Sequence, residues 1–541
     1  MKPASPTYFR RKSDPFLTMG PGCVATLTTR FRSINDASYT MSPAAVISRV
    51  PCPRRMRLIT ILVSSSLALA SAGCTTPRLH STVDVPAQFT TSAEAVEPDV
   101  SWWESYGDPV LTELVVKAAR ENRDIRIAAQ RVRAARAGET VSRSVLLPNV
   151  GATGSVSNSD NGYGSSARQA VPETSSLAAG LSVSWEVDLT GRLRAGASAA
   201  AADAEASEAQ ARGVRLLVLT DVASNYFTLV GAQRQLKTVC AISAAQDETL
   251  RLVVARQQVG LASPFDVERA RTDASQARAA IPRLETLVAV SQHRLAVLIG
   301  SQPAAATLTP SHTVIKTPQV RPGQPASLLE RRPDLLALRA QLEASNWRRQ
   351  QARAEWFPRL FVSALFGREN LDVNGMALGS ARFGNIAGMM AMPLLDWGRT
   401  SAVNEIAESA QSEALLRYED AIVRALEDVE NGLVALRDER YRAEVLEGAA
   451  QSAQAALNHA ESLYQRGQID LLPLLDAQRA RLTVQVSAND SQTQTLLDSV
   501  QLFKALGGGW QAFEPAATDA ASTAVSQTAM PTNLPINEES S

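Results

Sequence analysis

Cysteine is scarce in this chain of 541 residues: Cys23, Cys52, Cys74 and Cys240 are all there is. No two lie at the short spacing of a zinc site. Histidine is equally rare, with four scattered copies that leave no cluster for metal binding or acid–base work. Neither sign of charge dominates. Basic and acidic residues number 54 each, which excludes the positive excess of a nucleic-acid binder. Aromatic residues make up only 5%, while alanine saturates stretches such as Ala195 to Ala211, a composition suited to long, closely packed helices. A nucleophile elbow, a metal-binding helix and a phosphate loop are all missing. The expectation is a protein that is not an enzyme and that uses no cofactor or metal.

What the chain does have is a repeat. One copy runs from about Trp102 to Gly300 and the other from about Leu328 to Gly507. Asp124, Ala134, Arg143 and Pro148 align with Asp334, Ala344, Arg353 and Pro358 at one constant shift. Gly191, Asp221, Gln258, Gly260 and Gly300 align with Gly398, Asp428, Gln465, Gly467 and Gly507 at a second. Only the segment between the two registers changes length, as expected of a loop in a duplicated unit.

Each copy opens with helical periodicity. Leu111, Leu114, Val115, Ala118 and then Ile125, Ala128, Ala129 and Val132 recur at spacings of three and four, with Pro109 suited to a first helical turn. Past Pro148 the period changes to two. Val150 to Val156 alternates, a polar loop follows over Asn158 to Ser166, and Leu181, Val183, Trp185, Val187 and Leu189 alternate with polar residues. In the second copy the pattern predicts a strand over Leu360 to Phe366, a loop around Glu369 to Gly375 and a strand from about Phe383 to Leu394. Such strands are near the length of a tilted transmembrane β-strand. Four strands cannot close a barrel and an open edge is not allowed in hydrocarbon, so several chains must share one barrel if these strands cross a membrane. A pair of soluble hairpins is the alternative.

After each second strand, Gly191-Arg192 and Gly398-Arg399 begin a proline-free stretch long enough for a helix of roughly 100 Å at 1.5 Å per residue. Glycine next punctuates the chain at Gly260 and Gly467. A return helix follows from about Pro264 to Leu298 and from about Leu472 to Leu506. These hairpins need neighbours to be stable.

The N-terminal region carries an export signal. Arg54-Arg55-Met56-Arg57 precedes the apolar run Leu58 to Ala70, too short to span a bilayer of about 30 Å but of signal-peptide length, and Ser71-Ala72-Gly73-Cys74 follows. The small residues before cysteine resemble a bacterial lipobox, with Ser71 where leucine is usual. Cys74 is the expected lipidation site and mature N-terminus, with Met56 as the expected start. Thr75 stands where an aspartate would favour inner-membrane retention in the lipoproteins this leader resembles, which points to the outer membrane.

Together these residues resemble the TolC-type outer-membrane efflux proteins, in particular NodT-like lipoproteins of resistance-nodulation-division systems. The resemblance rests on Trp102-Trp103 with Asp108-Pro109, on Asn122 with Asp124, and on Trp185-Glu186-Val187-Asp188-Leu189 before Gly191-Arg192. It rests further on Leu328 to Asp334, on Asp396-Trp397-Gly398-Arg399 and on Lys504 to Trp510. It implies a mainly α fold with a transmembrane β-barrel portion: a homotrimer with a twelve-stranded barrel and an α-helical periplasmic tunnel. It also implies a passive exit duct for small molecules such as drugs, served by a periplasmic adaptor and an inner-membrane pump. The adaptor would meet the helix tips at Val259, Gly260, Leu261, Arg466 and Gly467. The expected organisation is a leader over 1–73, a lipidated extension over 74–101, repeats over 102–300 and 328–510, an equatorial linker over 301–327, and a disordered tail over 511–541. The alternatives are the outer channel of a type I protein-secretion system and a periplasmic coiled-coil scaffold.

Metabolic labelling with a fatty-acid analogue is expected to mark the wild-type protein and to miss Cys74→Ser. Equal labelling of the two would remove Cys74 as the acylation site.

Overall fold

The computed structural model describes residues 78–90, 99–160, 162, 171–305 and 315–514. Cys74, the leader and the tail beyond 514 lie outside the described residues. The first repeat contains helices α1 (Pro109–Glu121) and α2 (Arg123–Ser144), strands β1 (Asn149–Ser159) and β2 (Thr174–Val187), and the long helices α3 (Arg192–Gln258) and α4 (Pro264–Leu298). The second contains the single turn α5 (Leu328–Arg331), α6 (Pro333–Ala354), β3 (Arg359–Val373), β4 (Met376–Ala391), α7 (Arg399–Gln465) and α8 (Leu471–Ala505). Helices α3 and α7 have 67 residues each, and α4 and α8 have 35 each. Core spacing has been held while the strands and their loops changed.

The four strands form one open antiparallel sheet in the order β1-β2-β3-β4. The register puts Val150 beside Val183, and Val183 beside Ala364, which faces Ile386. Side chains alternate across a sheet, so one face gathers Val150, Leu177, Leu181, Val183, Trp185, Val362, Phe366 and Ile386. The opposite face of β1 and β2 carries Thr153, Ser155, Ser176, Ser182, Ser184 and Glu186. At the base of the sheet the Trp185 indole N–H donates to the Leu146 carbonyl at 3.0 Å. The second hairpin corrects its expected bounds. Glu369 to Val373 is strand, not loop, and β4 begins at Met376 and ends at Ala391. The turn is Asn374-Gly375, both at positive φ, a pair that suits a two-residue hairpin.

Glycine occupies the N-cap position of both α3 and α7 and has no side chain to cap with, so an upstream aspartate reaches forward instead. Asp188 accepts from the N–H groups of Leu193 at 3.2 Å and Arg194 at 3.0 Å, and Asp396 accepts from the N–H of Thr400 at 2.8 Å. Burial pushes the Asp188 carboxyl up, but the Arg194 and Leu193 N–H groups and the Arg194 guanidinium outweigh it and hold it below its ordinary value. A negative group at a helix N-terminus is also favoured by the helix dipole.

Below the sheet the helices lie side by side in the order α2, α3, α6, α7, and farther down in the order α4, α3, α8, α7. The break between the two layers is fastened twice, at equivalent positions. Asn122 caps α2 through the N–H groups of Asp124 and Ile125 and donates its amide to the Leu298 carbonyl at 2.8 Å. Arg332, its counterpart, donates to the Ala505 carbonyl at 3.1 Å and binds Asp334 and Asp428. Chain reversal after α4 and α8 uses Gly300 and Gly507 at φ of 78° and 70°. A Cβ on Gly300 would meet the Glu121 carbonyl oxygen at 2.7 Å, so neither the conformation nor the space suits another residue.

Much of the chain's small stock of aromatics is spent at this level. Trp102 stacks on Phe503 with centroids 5.1 Å apart, Trp103 stacks on Phe513 at 5.4 Å, and Tyr106 tilts against Phe227 at 4.8 Å. Such pairs contribute about 0.5–1.5 kcal/mol each beyond their buried area. Buried Asp108 caps α1 through the Val110 N–H and accepts the Tyr226 hydroxyl at 2.5 Å. The contact between Phe513 and Trp103 corrects the start of the expected tail: Trp510–Phe513 is a 3-10 turn, and Arg212 binds Glu514 at 2.6 Å. Residues 511–514 are therefore fastened to the helices, because Phe513 is an aromatic anchor and Glu514 an ion-pair partner.

Candidate functional site

The far ends of the two long hairpins form the candidate site. Each turn is built the same way. The Gly260 N–H bonds the Gln257 carbonyl and the Leu261 N–H bonds that of Arg256, while the N–H groups of Gly467 and Gln468 bond the carbonyls of Tyr464 and Leu463. This is the reversal that a left-handed residue makes possible at a helix C-terminus, and Gly260 and Gly467 adopt φ of 78° and 71°. Nothing lies within 4 Å of a Cβ built on either, so backbone conformation alone demands glycine there.

The entries to the return helices differ. Ser263 and Asp266 form a reciprocal capping box ahead of α4, with Pro264 in the first turn. Donation from the Ser263 N–H and hydroxyl holds the Asp266 carboxyl below its ordinary value. At the second tip Asp470 occupies the N-cap position of α8 without a side-chain cap bond.

The two tips are packed together. Val253 and Val267 of the first hairpin share a core with Leu457, Tyr464, Leu471 and Leu475 of the second. The Arg256 guanidinium sits 4.2 Å above the Tyr464 ring centroid and donates to the Tyr464 carbonyl at 3.2 Å. Farther along, Arg479 of α8 binds Asp273 of α4 at 2.7 Å, and Gln478 donates to the Thr249 hydroxyl at 2.9 Å. A second polar contact between α8 and α3 follows where Asn489 donates to Gln235 at 2.9 Å and Thr238 at 3.0 Å.

Of the residues expected from sequence, Val259 and Leu261 are 69% and 75% exposed, and Arg466 is exposed beside Gly467. Phe265, 70% exposed, joins the same apolar tip. Its signal in the sequence is an aromatic in the first turn of a helix opened by a polar cap. Asp476 is exposed and 3.7 Å from Arg479. Asp490, by contrast, lies roughly 30 Å along α8 from the tip at 1.5 Å per residue, with its carboxyl raised by burial. Among the described residues no group of three or more His, Cys, Asp or Glu could hold a metal. The tip surface is apolar on the first hairpin, through Val259, Leu261 and Phe265, and carries the exposed Arg466 and Asp470 on the second.

The family model described as outer membrane efflux protein matches residues 114–301 and 325–508. The chain is 31% identical over 414 residues to outer membrane protein OprJ of Pseudomonas aeruginosa, covering 75% of this chain and 86% of that protein. It is 27% identical over 464 residues to the probable outer membrane lipoprotein SilC of Salmonella typhimurium, covering 83% of this chain and 98% of the relative. The solved structure of the outer-membrane channel OprN is similar with a TM-score of 0.74 and 27% identity, covering 81% of this chain and all of that one.

The Asp273–Arg479 pair predicts an asymmetry. Asp273 is 5% exposed and Arg479 45%. Arg479→Leu strands a buried carboxylate and should weaken the joint between the hairpins by about 2–4 kcal/mol. Asp273→Asn leaves an arginine that water can reach and should cost only about 1 kcal/mol. Amide exchange across residues 262–275 and 470–480 reads both; a larger effect from Asp273→Asn would reverse the assignment.

Proposed function

The chain belongs to the outer membrane efflux protein family, and on that premise we propose that three copies close one channel whose hairpin tips receive a periplasmic adaptor. The protein is an outer-membrane efflux component. Solutes delivered by an inner-membrane pump leave through it passively, and the pump supplies the energy.

The observation that carries the proposal is that the chain is open at both sides at every level. Strands β1 and β4 are sheet edges with unpaired backbone groups, which hydrocarbon does not tolerate. Lower down, α7 exposes Ile406, Leu416, Val423, Val434 and Tyr441 at spacings that keep them on one helical face. On the other side α4 exposes Leu287, Val290 and Val297. Copies placed side by side pair β4 with β1 and cover α7 with α2 in the upper layer and with α4 in the lower one. The count of three is the family's.

Acylation of Cys74 ties the assembly to the outer membrane. The Arg-flanked apolar leader and the likeness to SilC support that reading. The tips, roughly 100 Å from the sheet at 1.5 Å per residue, offer the adaptor an apolar surface with Arg466 beside it at the end of the assembly.

Two comparisons test these assignments. Val183 lies among Val150, Ala364 and Ile386 on the apolar face, and Ser184 lies on the other. If the apolar face meets lipid, Val183→Arg should destabilise the folded assembly by about 2–4 kcal/mol and Ser184→Arg much less, read by the heat resistance of the trimer. Equal losses would reject that facing. At the tips, Val259→Asp, Leu261→Asp and Arg466→Asp should leave membrane insertion and trimer assembly intact while crosslinking to the adaptor and drug export fall. Variants that crosslink and export like wild type would place the adaptor elsewhere.

A further inference from the structure

Across β3 and β4, the residues opposite one another on the face of Val183 and Trp185 run Leu360–Met390, Val362–Gly388, Ala364–Ile386 and Phe366–Gly384, and then Arg368–Arg382. Directly opposed residues have Cβ atoms about 4.5–5.5 Å apart, and like charges so placed destabilise a sheet. Both arginines are exposed, and neither forms an ion pair or a side-chain hydrogen bond with a described residue. Beside them, β2 offers only Ala179. Asp372 is on the same face nearer the turn and does not bind either guanidinium, and Glu369 points to the other face.

Height adds the second constraint. At about 3.4 Å per residue and a strand tilt of about 40°, Arg368 stands roughly 23 Å above Arg359 at the base of β3. An outer-membrane barrel has an apolar band about 25 Å tall. The arginines therefore sit at its outer rim, directly above Phe366 and Ile386, where a headgroup begins and acyl chains end.

We propose that Arg368 and Arg382 form a clamp for the phosphate of a phosphorylated lipid in the outer leaflet. Two planar guanidinium forks match phosphate oxygens, and a bound dianion turns a repulsive pair into a bridged one. A lipid is the source because the same ligand lays its chains on the apolar residues below. The inference rests on the outward facing of Val183 and Trp185, which the Val183 and Ser184 comparison tests separately.

The test uses the full-length protein in mild detergent with a bis-phosphorylated, acylated glucosamine disaccharide as probe, reading retained lipid per chain by native mass spectrometry. R368Q/R382Q should retain at least fivefold less than wild type, and R368K/R382K, which keeps both charges but loses both forks, should fall between the two. Wild type should retain the dephosphorylated form of the probe no better than the glutamine variant retains the phosphorylated one. Equimolar inorganic phosphate should displace none. Equal retention of both probe forms by wild type overturns the clamp without recourse to any variant, and so does wild-type retention by R368Q/R382Q. Displacement by inorganic phosphate overturns the lipid as its source. If Ser184→Arg proves the disruptive substitution the facing is wrong; if the facing holds and retention ignores the arginines, the clamp alone fails.

Discussion

A backbone amide in hydrocarbon must find its partner within the protein, and no single copy of this chain can meet that condition. Its sheet has two free edges, β1 and β4, and its helical layers have two free flanks. Duplication has produced an arc rather than a closed body. Each repeat contributes a hairpin, two long helices and a short upper helix, and their lateral order keeps α3 in the interior and α7 on the rim. The same helix that packs inside the arc in the first repeat is therefore surface in the second. This difference in position explains why α3 is alanine-rich and buried along much of its length, while α7 carries a charged surface interrupted by an apolar stripe.

The two repeats are fastened where their upper and lower helices meet. Asn122 and Arg332 are equivalent residues that donate to equivalent carbonyls, those of Leu298 and Ala505. Asp334 and Asp428, which the guanidinium engages, are the counterparts of Asp124 and Asp221, so the exchange of an amide for a guanidinium recruited carboxylates that both repeats carry. Partly buried, Arg332 is held charged by those two carboxylates against the cost of desolvation, and Asp334 is held below its ordinary value in return. Beside the Asn122 clasp lies the aromatic cluster of Trp102, Tyr106, Phe227 and Phe503; beside the Arg332 clasp the core is built from Leu335, Ile422, Val429 and Leu506. Family membership across both repeats sets a coiled-coil scaffold aside, and it assigns these joints to a channel wall.

Helix ends were legible in the sequence because glycine and proline mark them: Gly191, Gly260 and Gly300 with their counterparts, and Pro264 in the first repeat, bound the long elements within a residue or two. Periodicity of two located the strands but misplaced the second hairpin. Arg368, Glu369, Arg382 and the small residues near Gly384 dilute the alternation, and the Asn374-Gly375 pair is the better marker there. Neighbour relations were out of reach. That α8 packs on α3 as well as on α7 depends on side chains such as Asn489, Gln235 and Gln478, which read as ordinary solvated polar residues. Pro282 within α4 was equally silent. It stands where α8 has Asn489, so the helix without a neighbour on that side accepts a proline where its equivalent needs a donor.

The attachment between the repeats changes character along its length, and that gradient bears on how such a duct can open. Near the equator α3 and α8 meet through Phe227, Phe503 and Val500, a packed cluster that admits few alternative arrangements. Toward the tips the same two helices meet through Asn489, Gln235, Thr249 and Gln478, and Gln246 and Gln478 each leave a buried side-chain oxygen without a partner among the described residues. Hydrogen bonds of this kind contribute about 0.5–1.5 kcal/mol net, because water replaces the lost partner when they part. Separating the hairpins at the tips therefore costs a few exchangeable polar contacts, one ion pair and one small apolar core. The same separation at the equator would break the aromatic cluster, where Trp102 stacks on Phe503 and Tyr106 tilts against Phe227. The helices are hinged where they are apolar and releasable where they are polar, which places any movement at the end the adaptor would reach.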